Sequence, residues 1–120
     1  MTRDDVNRWL TRYVEAWKSY DPDAIGDLFS ERAEYHYNPW DEGLVGRQAI
    51  VADWLANRDE PDTYDADYAA FAADGDHAVA TGTSRYRGKG GNKTYHNVFL
   101  LTFDGDGRCR EFIEQFMEQH

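Results

Sequence analysis

The sequence predicts an α+β domain in which helices from the first half of the chain pack against a sheet formed mainly by the second half. Apolar residues in the first twenty positions recur at three- and four-residue steps, which is the spacing of one helix face. From Tyr64 onward, strand-like segments alternate with turns rich in Gly, Asp and Asn. Helices followed by a run of strands are typical of α+β proteins.

Three helices are predicted. The first has an apolar face and a possible cap at Thr2 or Asp4; that face consists of Val6, Trp9, Leu10, Tyr13, Val14 and Trp17. Asp21-Pro22-Asp23 ends it and begins a second, short helix, because Pro fits the first helical turn. The apolar face of this second helix is Ile25, Leu28 and Phe29. Residues 47 to 57 predict the third helix, since apolar residues again repeat at helical spacing.

The strands are predicted from alternation and from turn residues. Residues 33 to 38, AEYHYN, alternate and are rich in aromatics before Pro39, and a loop through Gly43 and Gly46 follows. Four more strands follow from Tyr64, joined by hairpins at Asp74 to Asp76, Gly88 to Asn92 and Asp104 to Gly107. The second half therefore predicts an antiparallel meander.

Length and composition limit the classes of protein that fit. A chain of 120 residues predicts one domain, residues 1 to 120. A net charge of -10 argues against a nucleic-acid partner, because non-specific affinity for phosphates comes mainly from cationic contacts. Cys109 is the single cysteine, which fits a reducing cytoplasm, and no apolar run is long enough for a signal peptide or a membrane span.

The amino-acid sequence of the helices and strands resembles that of the nuclear transport factor 2-like, or SnoaL-like, superfamily. The segments that carry the resemblance are RYVEAW, DPDAIGDLF, AEYHYNPW, LVGRQAI and the closing YHNVFLLTFDGDGRCREFIEQFM. This resemblance covers nearly the whole chain. It implies a cone-shaped, curved antiparallel or mixed sheet wrapped around the N-terminal helices, with a pocket between them and a homodimer as the usual assembly.

By this resemblance, and by the period of two along strands, one set of side chains is expected to line the pocket. The strand positions are Tyr35, Tyr37, Thr83, Arg85, Tyr95, Asn97, Phe99, Phe112, Glu114 and Phe116. Tyr13, Trp17 and Trp54 are expected to close the cone from the helices, and Trp40 to contribute from the loop after the first strand.

Comparison with enzymes of the superfamily mainly excludes activities. Tyr13 matches the tyrosine donor of ketosteroid isomerases, but the base position falls at Tyr37 or Asn38 and the second acid falls at Phe99. The chain also resembles limonene epoxide hydrolases, whose relay of Asp, Arg and Asp here reads Thr83, Arg85 and Glu114. Neither mechanism transfers to this sequence.

Arg85 and Glu114 are the polar pair singled out for chemistry. If both face an apolar cone, each lowers the desolvation cost of the other, and Arg85 is then available to bind a ligand carboxylate. The alternative is an ion pair with a structural role. If the chain is an enzyme, Glu114 is the expected acid or base, Arg85 its partner and Tyr13 a hydrogen-bond donor.

No cofactor or metal site is expected. RGKGGNKT joins two strands instead of opening a helix, so its amides do not converge on a phosphate. No cluster of His, Asp and Glu has the spacing of metal ligands.

Three functional hypotheses remain open from the sequence. The leading one is a homodimer that binds a small, largely apolar molecule with a polar or anionic end. The others are an isomerase, cyclase or hydrolase that uses Glu114 and Arg85, and a dimeric interaction module without a working pocket. An open cavity with one buried charge pair favours the first two, whereas a cone filled by its own tyrosines and tryptophans favours the third.

Overall fold

The computed structural model describes all residues from Met1 to His120. Its elements follow the chain in the order α1 (Arg3–Ser19), α2 (Pro22–Asp27), β1 (Phe29–His36), β2 (Leu44–Val45), α3 (Arg47–Ala56), β3 (Tyr64–Asp74), β4 (His77–Gly88), β5 (Gly91–Phe103) and β6 (Cys109–Glu118). The predicted α+β class and curved sheet are confirmed. No helix is both long enough and apolar enough to cross a lipid bilayer.

The six strands form one mixed sheet in the order β2-β1-β6-β5-β4-β3. The strands β3 to β6 pair antiparallel with their chain neighbours, as the turn residues predict. The strand β1 pairs parallel with β6, with Tyr35 opposite Phe112, and so joins the two halves of the chain. The sheet is therefore mixed at one edge and antiparallel at the other.

The helix α1 begins with a capping box. The Thr2 side chain accepts a hydrogen bond from the Asp5 amide, and the Asp5 carboxylate accepts one from the Thr2 amide. Val6, Trp9 and Tyr13 are buried along the face that packs on the sheet. The helix ends at Tyr20, whose backbone is left-handed and whose amide donates to the Ala16 carbonyl.

Two local predictions need correction. The first strand begins at Phe29 and not at residue 33, so Phe29 belongs to β1 rather than to the apolar face of the second helix. The polar residues after Phe29 hide the alternation, whereas pairing with Cys109 of β6 establishes the strand. The loop between Gly43 and Gly46 contains the short strand β2, which pairs with Glu34 and Tyr35.

Aromatic rings hold the core together. Phe112 lies parallel to Tyr35 at 4.4 Å and nearly parallel to Tyr13 at 5.5 Å between ring centroids. Trp9 meets Phe103 edge to face, and its indole N–H donates to the Leu28 carbonyl at 3.0 Å. The start of α1 and the strands β1, β5 and β6 thus form one continuous packed region.

Candidate functional site

A cavity of about 440 Å³ lies between the end of α1, the helix α3 and the sheet face that these helices cover. Tyr13 and Trp17 are one helical turn apart on α1, so both side chains reach it. Tyr20, in its left-handed position, adds a third ring from the same end. The end of α1 therefore contributes an aromatic wall.

Alternate residues of the strands form the other walls. Tyr35 and Tyr37 of β1, Tyr68 of β3, Tyr86 of β4 and Glu114 of β6 all line the cavity. The residues of β4 and β6 that face the cavity have even numbers, because successive side chains of a strand point to opposite faces of the sheet. Six tyrosines in total line a space that a drug-sized ligand would fill.

The segment from α3 to β3 forms the rim. Asp53 accepts a hydrogen bond from the Tyr37 hydroxyl, and Asp59 accepts one from the Trp17 indole N–H at 3.1 Å. The Asp59 amide also donates to the Tyr20 hydroxyl at 2.9 Å. These bonds attach the segment after α3 to the end of α1, so the rim has a defined position.

A second hollow of about 500 Å³ continues the first toward the solvent. It shares five residues with the inner cavity, which are Tyr37, Asp59, Ser84, Tyr86 and Glu114. The residues that it adds are Lys93, Tyr95, Asn97 and Phe116. The two hollows are therefore one site with an inner and an outer part.

Glu114 stands at the end of a chain of hydrogen bonds. Asn97 donates from Nδ2 to Glu114 Oε1 at 3.1 Å and accepts from the Ser84 hydroxyl at 2.7 Å. Since the one Ser84 proton is used there, Tyr68 donates its own hydroxyl proton to Ser84 at 2.6 Å. The network fixes one carboxyl oxygen and leaves Oε2 without a partner in the protein.

The environment changes the acidity of Glu114. Burial raises the pKa of its carboxyl group from 4.5 to about 7, while the hydrogen bond from Asn97 lowers it slightly. No Lys, Arg or His lines the inner cavity to offset the charge. A carboxyl group with this pKa exchanges a proton near neutral pH, which is the property required of a general acid or base.

Tyr13 and Tyr35 form a hydroxyl pair at 2.9 Å in the buried part of the cavity. One hydroxyl donates and the other accepts, so the accepting residue keeps its own proton free for a ligand. Burial raises the pKa of both phenols well above the usual value, and the nearby Glu114 charge raises it further. The pair is a neutral hydrogen-bond donor at any physiological pH.

Most of the residues proposed from the sequence do lie at this site. The inner cavity is lined by Tyr13, Trp17, Tyr35, Tyr37, Trp54 and Glu114, and the outer hollow by Tyr95, Asn97 and Phe116. Phe99 and Phe112 face the same side but lie beneath Tyr13 as buried core residues.

The expected contact between Arg85 and Glu114 is absent. Arg85 lies on the opposite face of β4, where it donates to Asp65 at 2.7 Å, to Asp67 at 2.6 Å and to Thr83 at 3.3 Å. Thr83 shares that face, so neither residue lines the pocket. Two carboxylates on β3 neutralise Arg85 there, whereas turning it inward would bury its charge.

Trp40 is also outside the site. Its side chain is 84% exposed in the turn after β1 and lines neither hollow. Asp41 anchors this turn by accepting hydrogen bonds from the Tyr37 amide and the His36 ring. These bonds hold the turn in a shape that leaves the Trp40 ring in solvent.

Several lining residues were not identified from the sequence. They are Tyr20, Asp53, Asn57, Asp59, Tyr68, Ser84 and Tyr86. Tyr20 follows Trp17 by three residues, and Asn57 follows Asp53 by four, so helical spacing was an available signal for both pairs. Ser84 and Tyr86 could be identified only by knowing which face of β4 points into the cavity.

Comparisons with known proteins agree with this architecture. A family model described as a SnoaL-like domain matches residues 10–112. An NTF-2 like protein of unknown function from Burkholderia xenovorans LB400 superimposes with a TM-score of 0.75 at 17% identity, over 100% of this chain and 88% of that one. An LEH-like epoxide hydrolase from M. tuberculosis gives 0.72 at 14% identity, over 96% and 84%. No curated protein matches significantly.

Glu114→Gln is expected to remove a loss of folding stability that grows as the pH rises. Because the folded pKa is about 7 and the ordinary value is 4.5, the unfolded chain loses this proton first as the pH rises. Wild-type stability should therefore fall relative to the variant between these two values, by about 3 kcal/mol in all. Urea unfolding at several pH values measures this difference.

Glu111→Gln is the matched control, since Glu111 is on the same strand but does not line the cavity. Its difference from wild type should not change over this pH range. A Glu114→Gln difference that is equally flat would show that Glu114 does not titrate near neutral pH.

Proposed function

The chain belongs to the SnoaL-like domain family, and we propose that it binds a small, largely apolar molecule with one polar end in the cavity beneath α1 and α3. The observation that carries this proposal is an open, ring-lined space with one largely desolvated carboxyl group, Glu114, in its wall. Pockets for small molecules combine apolar walls with a few placed polar groups in this way.

The cavity favours this function over an interaction module without a pocket. A module of that kind would fill the cone with its own rings. Here Trp17, Tyr37 and Tyr86 stand around a space of about 440 Å³ instead of closing it. Their neighbours hold them in place, since Trp17 packs on Tyr64 at 4.4 Å and Tyr37 is bound to Asp53. The space is therefore supported by the structure around it.

Blocking the rim is expected to weaken the binding of a neutral apolar probe. Asn57 is exposed at the rim, so Asn57→Trp adds a large ring at the entrance without disturbing the core. With 4-phenylbutanol as the probe, calorimetry should give an affinity at least about tenfold weaker than that of wild type. Amide shifts in wild type should cluster around Tyr13, Tyr37 and Glu114.

Asn92→Trp is the control, because Asn92 is exposed in β5 beside the β4–β5 turn and lines neither hollow. It should bind the probe as wild type does. Shifts that map to another surface, or equal affinities for the two variants, would contradict binding in the cavity.

A second candidate function is acid–base catalysis on the bound molecule. Glu114 has a free oxygen, Oε2, and the pair of Tyr13 and Tyr35 keeps one hydroxyl proton for a ligand oxygen. In a ketone, Glu114 would accept a proton from the carbon beside the carbonyl, and the tyrosine would stabilise the negative charge on oxygen. Glu114 then returns this proton to the same carbon, or a deuteron if its carboxyl group has first exchanged with D₂O.

This candidate is tested by deuterium exchange into 4-phenyl-2-butanone in D₂O, followed by NMR. Wild type should accelerate exchange beside the carbonyl, Glu114→Gln should lose at least about a hundredfold of this acceleration, and Tyr13→Phe should lose a smaller part. Both variants should still bind the ketone. Equal exchange by wild type and Glu114→Gln would eliminate Glu114 as the base.

We also propose that two chains pair through the outer face of β5 and β6. Val98 and Leu100 are 37% and 39% exposed there, and Met117 is 74% exposed on the neighbouring strand. Exposed apolar side chains that cluster on one sheet face commonly mark a self-complementary interface.

Sedimentation equilibrium is expected to show a dimer that the double variant Leu100→Lys, Met117→Lys converts to monomer, because two charges would be buried at the interface. Val45→Lys changes an exposed apolar residue on β2 and should leave the dimer intact. A wild-type monomer would refute the interface.

A further inference from the structure

The charged side chains that line the inner cavity are all acidic. Its lining includes Glu114, Asp53 and Asp59, and none of its 13 residues is Lys, Arg or His. Lys93, which is exposed, lines only the outer hollow. Arg85, the cation expected here from the sequence, is engaged by Asp65 and Asp67 on the other face of the sheet. No Lys, Arg or His therefore lines the inner cavity beside these carboxyl groups, and Lys93 is the one cation of the outer hollow.

Two carboxylate oxygens of the cavity accept no hydrogen bond from the protein. Glu114 Oε1 is bound by Asn97, but Oε2 accepts no hydrogen bond from the protein. Asp59 accepts from Trp17 and Tyr20 through Oδ2 alone, which leaves Oδ1 unused. A ligand group that pairs with these two carboxylate oxygens must donate hydrogen bonds, and a positive charge would make them stronger.

The walls suit a cation as well. The faces of Trp and Tyr rings attract a cation that approaches within about 6 Å of the ring centre. Trp17 and Tyr86 stand with their centroids 6.0 Å apart at the cavity wall. The chain already makes one such contact at this end, since the Arg58 guanidinium carbon lies 5.6 Å from the centroid of the Tyr20 ring.

We propose that the ligand of this cavity is an apolar amine, whose ammonium group pairs with Glu114 and whose hydrocarbon body lies against the tyrosine and tryptophan rings. This inference rests on the proposed binding function and names its ligand class. An anionic ligand would meet three acidic side chains and no cation. A neutral one would leave the acceptors of Glu114 and Asp59 less well satisfied. The net charge of -10 also raises the concentration of cations near the protein.

Three probes with one hydrocarbon body test the charge preference. They are 4-phenylbutylamine, 4-phenylbutanol and 4-phenylbutyrate, titrated by calorimetry at about pH 8, where a primary ammonium remains protonated. The amine is expected to bind at least about tenfold more tightly than the alcohol, and the carboxylate more weakly than both. In Glu114→Gln the amine should lose most of its advantage over the alcohol.

Glu111→Gln, outside both hollows, should keep the wild-type order of affinities. If the alcohol binds as tightly as the amine, or the carboxylate binds best, the ligand class is wrong but the binding function stands. If Glu114→Gln keeps the full preference for the amine, Glu114 is not the partner of the ammonium group and the inference is overturned. If none of the three probes binds, both the inference and the binding function fail.

Discussion

The helix α1 is much shorter than the strands beneath it, and this difference in length determines where the core ends and the cavity begins. The 17 residues of α1 extend about 25 Å, whereas β4 and β5, with 12 and 13 residues, extend about 40 Å. The helix therefore covers only part of the sheet face. Where it does, Trp9, Phe103 and Phe112 pack into a closed core, and where it ends, the cavity begins. The short α3 and its following segment form a rim around this space but do not fill it.

Glu114 is placed at the boundary between the packed core and the cavity. Its neighbour on the same face, Phe112, is buried between Tyr13 and Tyr35, so the register of β6 is set by aromatic packing. The alternation of the strand then directs Glu114 into the cavity, where Asn97 binds one of its oxygens. The site thus obtains its position from the core, and burial raises the pKa of its carboxyl group. This arrangement is typical of sites where a pKa is displaced for function.

The sequence was sufficient wherever apolar and polar residues alternate clearly. On β5 and β6 this alternation predicted that Asn97, Phe99, Phe112 and Glu114 share a face, as they do. The strand β4 has polar residues on both faces, so local pattern does not establish which one is inward. The inward face of β4 is determined by β3, because Asp65 and Asp67 bind Arg85 on the outer face of the sheet. The sequence of β4 alone does not reveal this pairing with a distant segment. The rim residues Asp53 and Asp59 were missed for the same reason, since they meet α1 and β1 only in the folded chain.

The hydroxyl pair of Tyr13 and Tyr35 separates two properties within the same side chains. Their rings stack on Phe112 and belong to the core, whereas their hydroxyl groups bond to each other in the buried part of the cavity that both residues line. An exchange between Tyr and Phe at either position alters the hydrogen bonds available to a ligand but leaves the ring packing in place. One nucleotide change suffices for this exchange, so selection can change the hydrogen bonds that the pocket offers while the packing of the core is kept. A cavity built from tyrosines is for that reason well suited to diversification within a family that keeps one fold.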